Sequence, residues 1–183
     1  MQAVVVFESM YGNTRAIAEA VGKGIDTASD AQVTVVPVSQ ADTGLISQAD
    51  LLVVGGPTHA HGMSHAATRR AAQDAATKSD GKLRLDPAAD IEGSGVRGWL
   101  DHLNGRGRLS ATFDTRLDAP AIFTGRAAPK IARQLRRAGF ESVSEPESFL
   151  VTKDTELCQG ETRRALDWGV RLATLAASGR SEQ

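Results

Sequence analysis

Apolar residues along this chain follow two alternating periods. Residues 2–8 form a short β-branched run of the kind buried on both faces of a parallel sheet. Past Tyr11-Gly12 the period lengthens: Ile17, Val21 and Ile25 recur every fourth position with Ala18 beside them, predicting a helix capped by Asn13 or Thr14. Residues 32–38 and 49–55 predict a second and a third strand, and the alanine-rich residues 64–78 a helix. Residues 79–95 carry Gly81, Pro87, Gly93 and Gly95 among charges, which predicts a long surface connection. A short helix follows at 96–103, with Trp99, Leu100 and Leu103 on one side. Residues 111–117 predict a fourth strand, interrupted by charge at Asp114 and Arg116. The next helix has Pro129 at its start, Ile131 and Leu135 facing inward and Gly139 at its stop. Residues 142–151 predict a fifth strand broken at Pro146, residues 161–177 a last helix, and residues 178–183 a frayed tail.

Strands separated by helices imply βαβ units, hence an α/β fold with a doubly wound parallel sheet and helices on both faces. No internal repeat or composition shift splits the chain, so residues 1–177 are expected to form a single domain. Hydrophobic residues make up 41% of the 183 and charged ones 23%, enough apolar material for a core. With 21 basic and 22 acidic residues the net charge is -1, which argues against a nucleic-acid partner. The longest apolar stretches, 3–7 and 51–54, fall far short of the ~20 residues that span a bilayer, so no membrane partner is expected. The start of the chain has no basic segment ahead of its apolar run, unlike a signal peptide. A single cysteine, Cys158, makes neither an internal disulfide nor a cysteine zinc site. The expected setting is the cytoplasm.

Ligands of open parallel sheets sit beyond the carboxyl ends of the strands. The loop from Glu8 to Thr14, between the first strand and its helix, offers Ser9 and Thr14 hydroxyls, the Asn13 amide and a tight turn at Gly12. Main-chain N–H groups and a helix N-terminus converging there hold a phosphate without lysine, whereas an ordinary turn with a capping threonine is the plainer alternative.

Ser9-Met10-Tyr11-Gly12-Asn13-Thr14 resembles the phosphate-binding loop of the flavodoxin family, and Gly55-Gly56-Pro57-Thr58 resembles the run that ends that family's third strand. Two ordered matches are more specific than either alone. The resemblance covers nearly the whole chain, most weakly across residues 79–95, an elaboration between the third and fourth strands. It implies a three-layer sheet of strand order 2-1-3-4-5 with FMN at the switch point. It also implies that Ser9 to Thr14 wrap the FMN phosphate. Pro57, Thr58, His59, Ala60, His61 and Gly62 would flank one ring face, and Asp114, Thr115 and Arg116 the other. The aromatic pair that sandwiches the ring in many flavodoxins is missing, and aromatic residues are only 4% of the chain. An imidazole or a guanidinium can lie flat on a flavin in its place. Arg116 and protonatable His59 and His61 would then raise the flavin's potential.

His59, His61 and His65 lie within seven residues, but no cysteine or carboxylate between them makes a recognised ligand pattern, and none is assigned to metal. Gly93-Ser94-Gly95-Val96-Arg97-Gly98 matches the dinucleotide fingerprint literally but does not follow a strand. A phosphate-accepting receiver lacks its carboxylates here, and a P-loop hydrolase its lysine. The leading expectation is an FMN-binding electron carrier that exchanges electrons with a reductase and an acceptor protein, with no acid–base or nucleophile constellation of its own. The alternatives are a small FMN-dependent quinone-type reductase and a binding or regulatory module without flavin.

Overall fold

The computed structural model describes residues 1–59 and 61–180. The first unit is β1 (Gln2–Phe7), α1 (Asn13–Ala28) and β2 (Gln32–Pro37). A short 3₁₀ turn and α2 (Thr43–Ser47) lead to β3 (Leu51–His59), which folds back into the two-residue β4 (Gly62–Met63). Helix α3 (Ala66–Lys78) is followed by the long connection, here called the strap, and by α4 (Gly95–Leu100). Then come β5 (Leu109–Leu117), α5 (Ala121–Thr124) and α6 (Ala128–Arg137). The chain closes with β6 (Glu141–Ser142), β7 (Glu147–Val151) and α7 (Glu161–Arg180).

The five parallel positions of the sheet are β2, β1, β3, β5 and a last one shared by β6 and β7, which both pair with β5. This is the 2-1-3-4-5 order, with the predicted break at Pro146 dividing the fifth strand in two. Alternation along the strands builds two cores. Ala3, Val5, Phe7, Val53 and Phe113 meet α1 and α7 on one face, where Phe113, Phe149 and Trp168 touch edge to face at about 6 Å. Val4, Val6, Leu52 and Val54 meet Ile46, Val96, Ile131 and Leu135 on the other. Each fully buried aliphatic side chain contributes about 1.5–3 kcal/mol. Helices α1 and α7 approach closely because Gly24 and Gly169 face backbone across the contact: a Cβ on Gly24 would lie 2.1 Å from the Leu166 carbonyl oxygen.

Several expectations need correcting. The cap of α1 is neither Asn13 nor Thr14 but Gly12, in the left-handed region at φ 90, and no side chain caps the helix. Strand β5 is not interrupted by its charges; it continues through Leu117. Helix α7 continues to Arg180, so residues 178–180 are helical; residues 181–183 lie outside the described residues. Helices α2 and α5 are too short to leave a period in the sequence.

The strap is pinned to the body at several points. The Asp86 N–H donates to the Met10 carbonyl at 2.7 Å, and the buried Asp86 carboxylate pairs with Arg15. The buried Arg69 guanidinium donates to the Ile91 and Gly93 carbonyls and to Ser64 Oγ. The buried Glu8 carboxylate accepts from Ser64 Oγ and, at 2.9 Å, from the Val96 N–H.

Candidate functional site

Beyond the carboxyl ends of β1, β3, β5 and β7 lies a cleft of about 220 Å³. Met10, Tyr11, Asn13 and Thr14 form its base on the first loop, Pro57, Thr58 and His59 one wall, and Thr115, Arg116 and Leu117 the other. Val151, at the end of β7, and Thr152, Lys153 and Thr155 after it close the far side. Roomier hollows of about 640 and 480 Å³ lie elsewhere, one by the end of β2 and the strap, one by α2 and Arg108. Arg108 already donates to four main-chain carbonyls in the second. Neither hollow gathers loops from four strand ends, which is the position where this architecture binds ligands.

The first loop is held from three sides. Thr14 Oγ1 and Thr115 Oγ1 share a buried hydrogen bond of 2.7 Å. Asn13 Nδ2 donates to the Thr155 carbonyl at 2.8 Å. Ser9 Oγ accepts from the Gly12 N–H at 3.1 Å, and the Tyr11 hydroxyl donates to the Ala72 carbonyl at 2.8 Å. The first three N–H groups of α1 have no intrahelical acceptor, and no side chain serves them, so the helix presents bare donors and the positive end of its dipole. Arg116, on the opposite wall, has its Nε buried without an acceptor. Unused donors at a strand-to-helix turn suit an anionic group, so these residues fit the phosphate of an FMN. Tyr11 is the one six-membered aromatic ring lining the cleft among the described residues.

Not every predicted site residue is here. Asp114 is fully buried and turned to the α6 face, because even-numbered positions of β5 point that way; its Oδ2 accepts from the Ala128 N–H at 2.8 Å. Burial pushes its carboxyl above the ordinary carboxylate range, against the lowering effect of that N–H. His61 and Gly62 also stand outside the cleft. His61 has a left-handed backbone (φ 67), and the β3–β4 hairpin carries the chain away, leaving the His61 carbonyl to accept from Lys130 Nζ at 2.9 Å. Ala60 lies outside the described residues. His59 does line the cleft, but burial lowers its pKa, outweighing the raising effect of Glu8. It is therefore held neutral, and the cations that line the cleft are Arg116, as expected, and Lys153. The loop after β7 escaped sequence reasoning, although its position behind the fifth strand was signal enough to look there.

The family model described as Flavodoxin matches residues 5–105. Among solved structures, a flavodoxin from the domain Archaea is 21% identical with a TM-score of 0.65, over 97% of this chain and 99% of its own. Flavodoxin 1 from Bacillus cereus is 16% identical at a TM-score of 0.62, over 95% and 98%. A flavodoxin, WrbA-like protein from Agrobacterium tumefaciens is 17% identical at 0.61, over 97% and 98%. No curated protein matches the chain. With the loop motif, the sheet order and a family match over more than half its length in agreement, this chain belongs to the flavodoxin family.

Proposed function

We propose that the chain binds FMN and works in the cytoplasm as an electron carrier between a reductase and an acceptor protein. The observation that carries this reading is the uncapped start of α1, whose free N–H groups open on the cleft at the carboxyl ends of the strands. FMN supplies the electron-transfer chemistry when bound. The chain's own part is binding and orientation. The N–H groups after Gly12 would take the phosphate, with the buried Ser9 hydroxyl holding the turn through the Gly12 N–H. Met10 and Tyr11 at the base, with the Pro57–His59 and Thr115–Arg116 walls, would hold the rest of the cofactor. His59 stays neutral, so it shapes the cavity and shields it from water without adding charge. Arg116 and Lys153 provide the positive potential at the rim.

Absorbance spectra of the purified protein before and after FMN addition test the reading. Flavin bands that remain with the protein through desalting are expected; free FMN separating completely from it would defeat the proposal.

A second reading, a module without flavin, draws on a different observation. The Asn13 amide and the Thr14 hydroxyl are both spent on partners within the protein, and the cleft is smaller than the 300–1,000 Å³ usual for ligand pockets. The same titration separates the two.

A further inference from the structure

The largest exposed apolar side chains stand at the rim of the cleft. Ile122 is 83% and Phe123 73% exposed, side by side on α5. The helix is fixed between the two walls. Arg116 Nη1 donates to the Ala119 carbonyl at 2.7 Å and to Thr124 Oγ1 at 3.4 Å, and Gly125 bridges to His61. Just beyond, the Ala127 N–H donates to Thr58 Oγ1 at 3.0 Å. A fixed four-residue helix that holds two large apolar side chains in water contributes nothing to the core.

The segment that follows it is basic. From Ala119 to Phe140 the chain carries Arg126, Lys130, Arg133, Arg136 and Arg137 and no acid, with exposed Asp118 and Glu141 directly flanking the run. Arg126 is engaged with Ser148 and Pro146, and Lys130 with His61. Arg133, Arg136 and Arg137 are exposed, and no ion pair among the described residues includes them. Asp101 borders one hollow with Arg137, and Glu145 another with Arg136. Helix α6 buries Ala128, Ile131, Ala132 and Leu135, so its outer face carries the three arginines within about 6 Å along its last turn and a half.

We propose that Ile122, Phe123 and the outer face of α6 form the docking surface for an acidic redox protein, with the apolar pair as its centre and the arginines as its steering rim. That the partner is a redox protein rests on reading the cleft as the flavin site. An apolar anchor bordered by charge of one sign matches the anatomy of a specific interface, and the basic rim selects a partner of opposite sign. A bilayer fits less well, because α6 has spent its apolar stripe on its own core.

Titration of the whole protein with an acidic plant-type [2Fe–2S] ferredoxin, and separately with a basic c-type cytochrome, tests the surface by calorimetry. Saturable one-to-one binding to the ferredoxin is expected, weakening at least tenfold in I122S/F123S, in R133E/R136E/R137E and between roughly 50 and 300 mM salt. These positions are exposed, so both variants should keep the wild-type melting temperature. Several results would overturn the proposal: no saturable binding, tighter binding to the cytochrome, affinity unchanged in both variants, dimerisation through Phe123 in sedimentation, or tighter binding to phosphatidylserine vesicles than to the ferredoxin. FMN affinity measured on the same samples separates the two readings. Ferredoxin binding without FMN binding retires the cofactor assignment and leaves the docking face; the reverse removes the docking face alone.

Discussion

Asn13, in the first loop, and Thr155, in the last, are joined by a 2.8 Å hydrogen bond from the Asn13 amide to the Thr155 carbonyl. The bond crosses 142 positions of sequence and ties the start of α1 to the far side of the cleft. Asn13→Asp removes the donor, faces a carboxylate with a carbonyl and sets a negative charge beside the anion site. Unit charges about 4 Å apart interact by ~1–4 kcal/mol in water-rich surroundings, so FMN affinity should fall by roughly tenfold or more. Fluorescence titration of FMN reads this directly, and an unchanged affinity would put the phosphate elsewhere.

Thr155 holds its end of that bond at φ 64, a left-handed backbone that a β-branched residue adopts at a cost. Thr155→Asn keeps the carbonyl and puts in a residue that tolerates this region. The variant should gain about 1 kcal/mol in denaturant unfolding and keep wild-type FMN affinity.

Asp114 should destabilise the fold as it ionises. Its folded pKa is raised by burial, so its contribution is fully present below the ordinary carboxylate range and is lost as pH rises through the raised value. Asp114→Asn retains an oxygen for the Ala128 N–H and cannot ionise. The wild-type melting temperature should fall across that interval while the variant's stays flatter, with the variant at least as stable at neutral pH. Parallel curves would count against the buried carboxylate as the cause.

The close approach of α1 and α7 predicts intolerance of any side chain at Gly24. Its Cβ would meet the Leu166 carbonyl oxygen at 2.1 Å, and backbone cannot swing aside. Gly24→Ala should cost about 3 kcal/mol, the upper end of overpacking, and lower the melting temperature by roughly 6–12 °C.

Arg116 and Lys153 are the cations on the cleft wall, with His59 neutral. Arg116→Gln should lower the flavin midpoint potential by on the order of tens of millivolts, because reduced flavin gains less from its surroundings. A potential that does not move in a redox titration would remove Arg116 from the electrostatics of the site.

The strands and the turn of the first loop were legible because each rests on local pattern, whereas the sheet order was implied by the family resemblance. β-branched runs marked the strands, Gly12 marked the turn, and Pro146 marked the break in the fifth strand. Gly55 belongs with them: a Cβ there would lie 2.0 Å from Phe113 Cζ, so the ring of β5 requires the glycine that carried the family resemblance. What escaped depends on contacts between distant segments or on the pleat. Asp114 sits in the expected strand, yet alternation turns it toward α6 rather than the cleft. His61 stands outside the cleft because the chain reverses between β3 and β4, which no local pattern announces. The strap's grip on Met10 through Asp86 joins residues 76 positions apart, beyond the reach of any periodicity.

The division of the outer strand into β6 and β7 has a consequence for behaviour at high concentration. Two residues, then a gap holding Pro146, then five residues leave no long run of unpaired N–H and C=O groups on that flank. A neighbouring molecule therefore finds no continuous ladder to extend, and growth into ribbons is blocked on that side by the backbone itself.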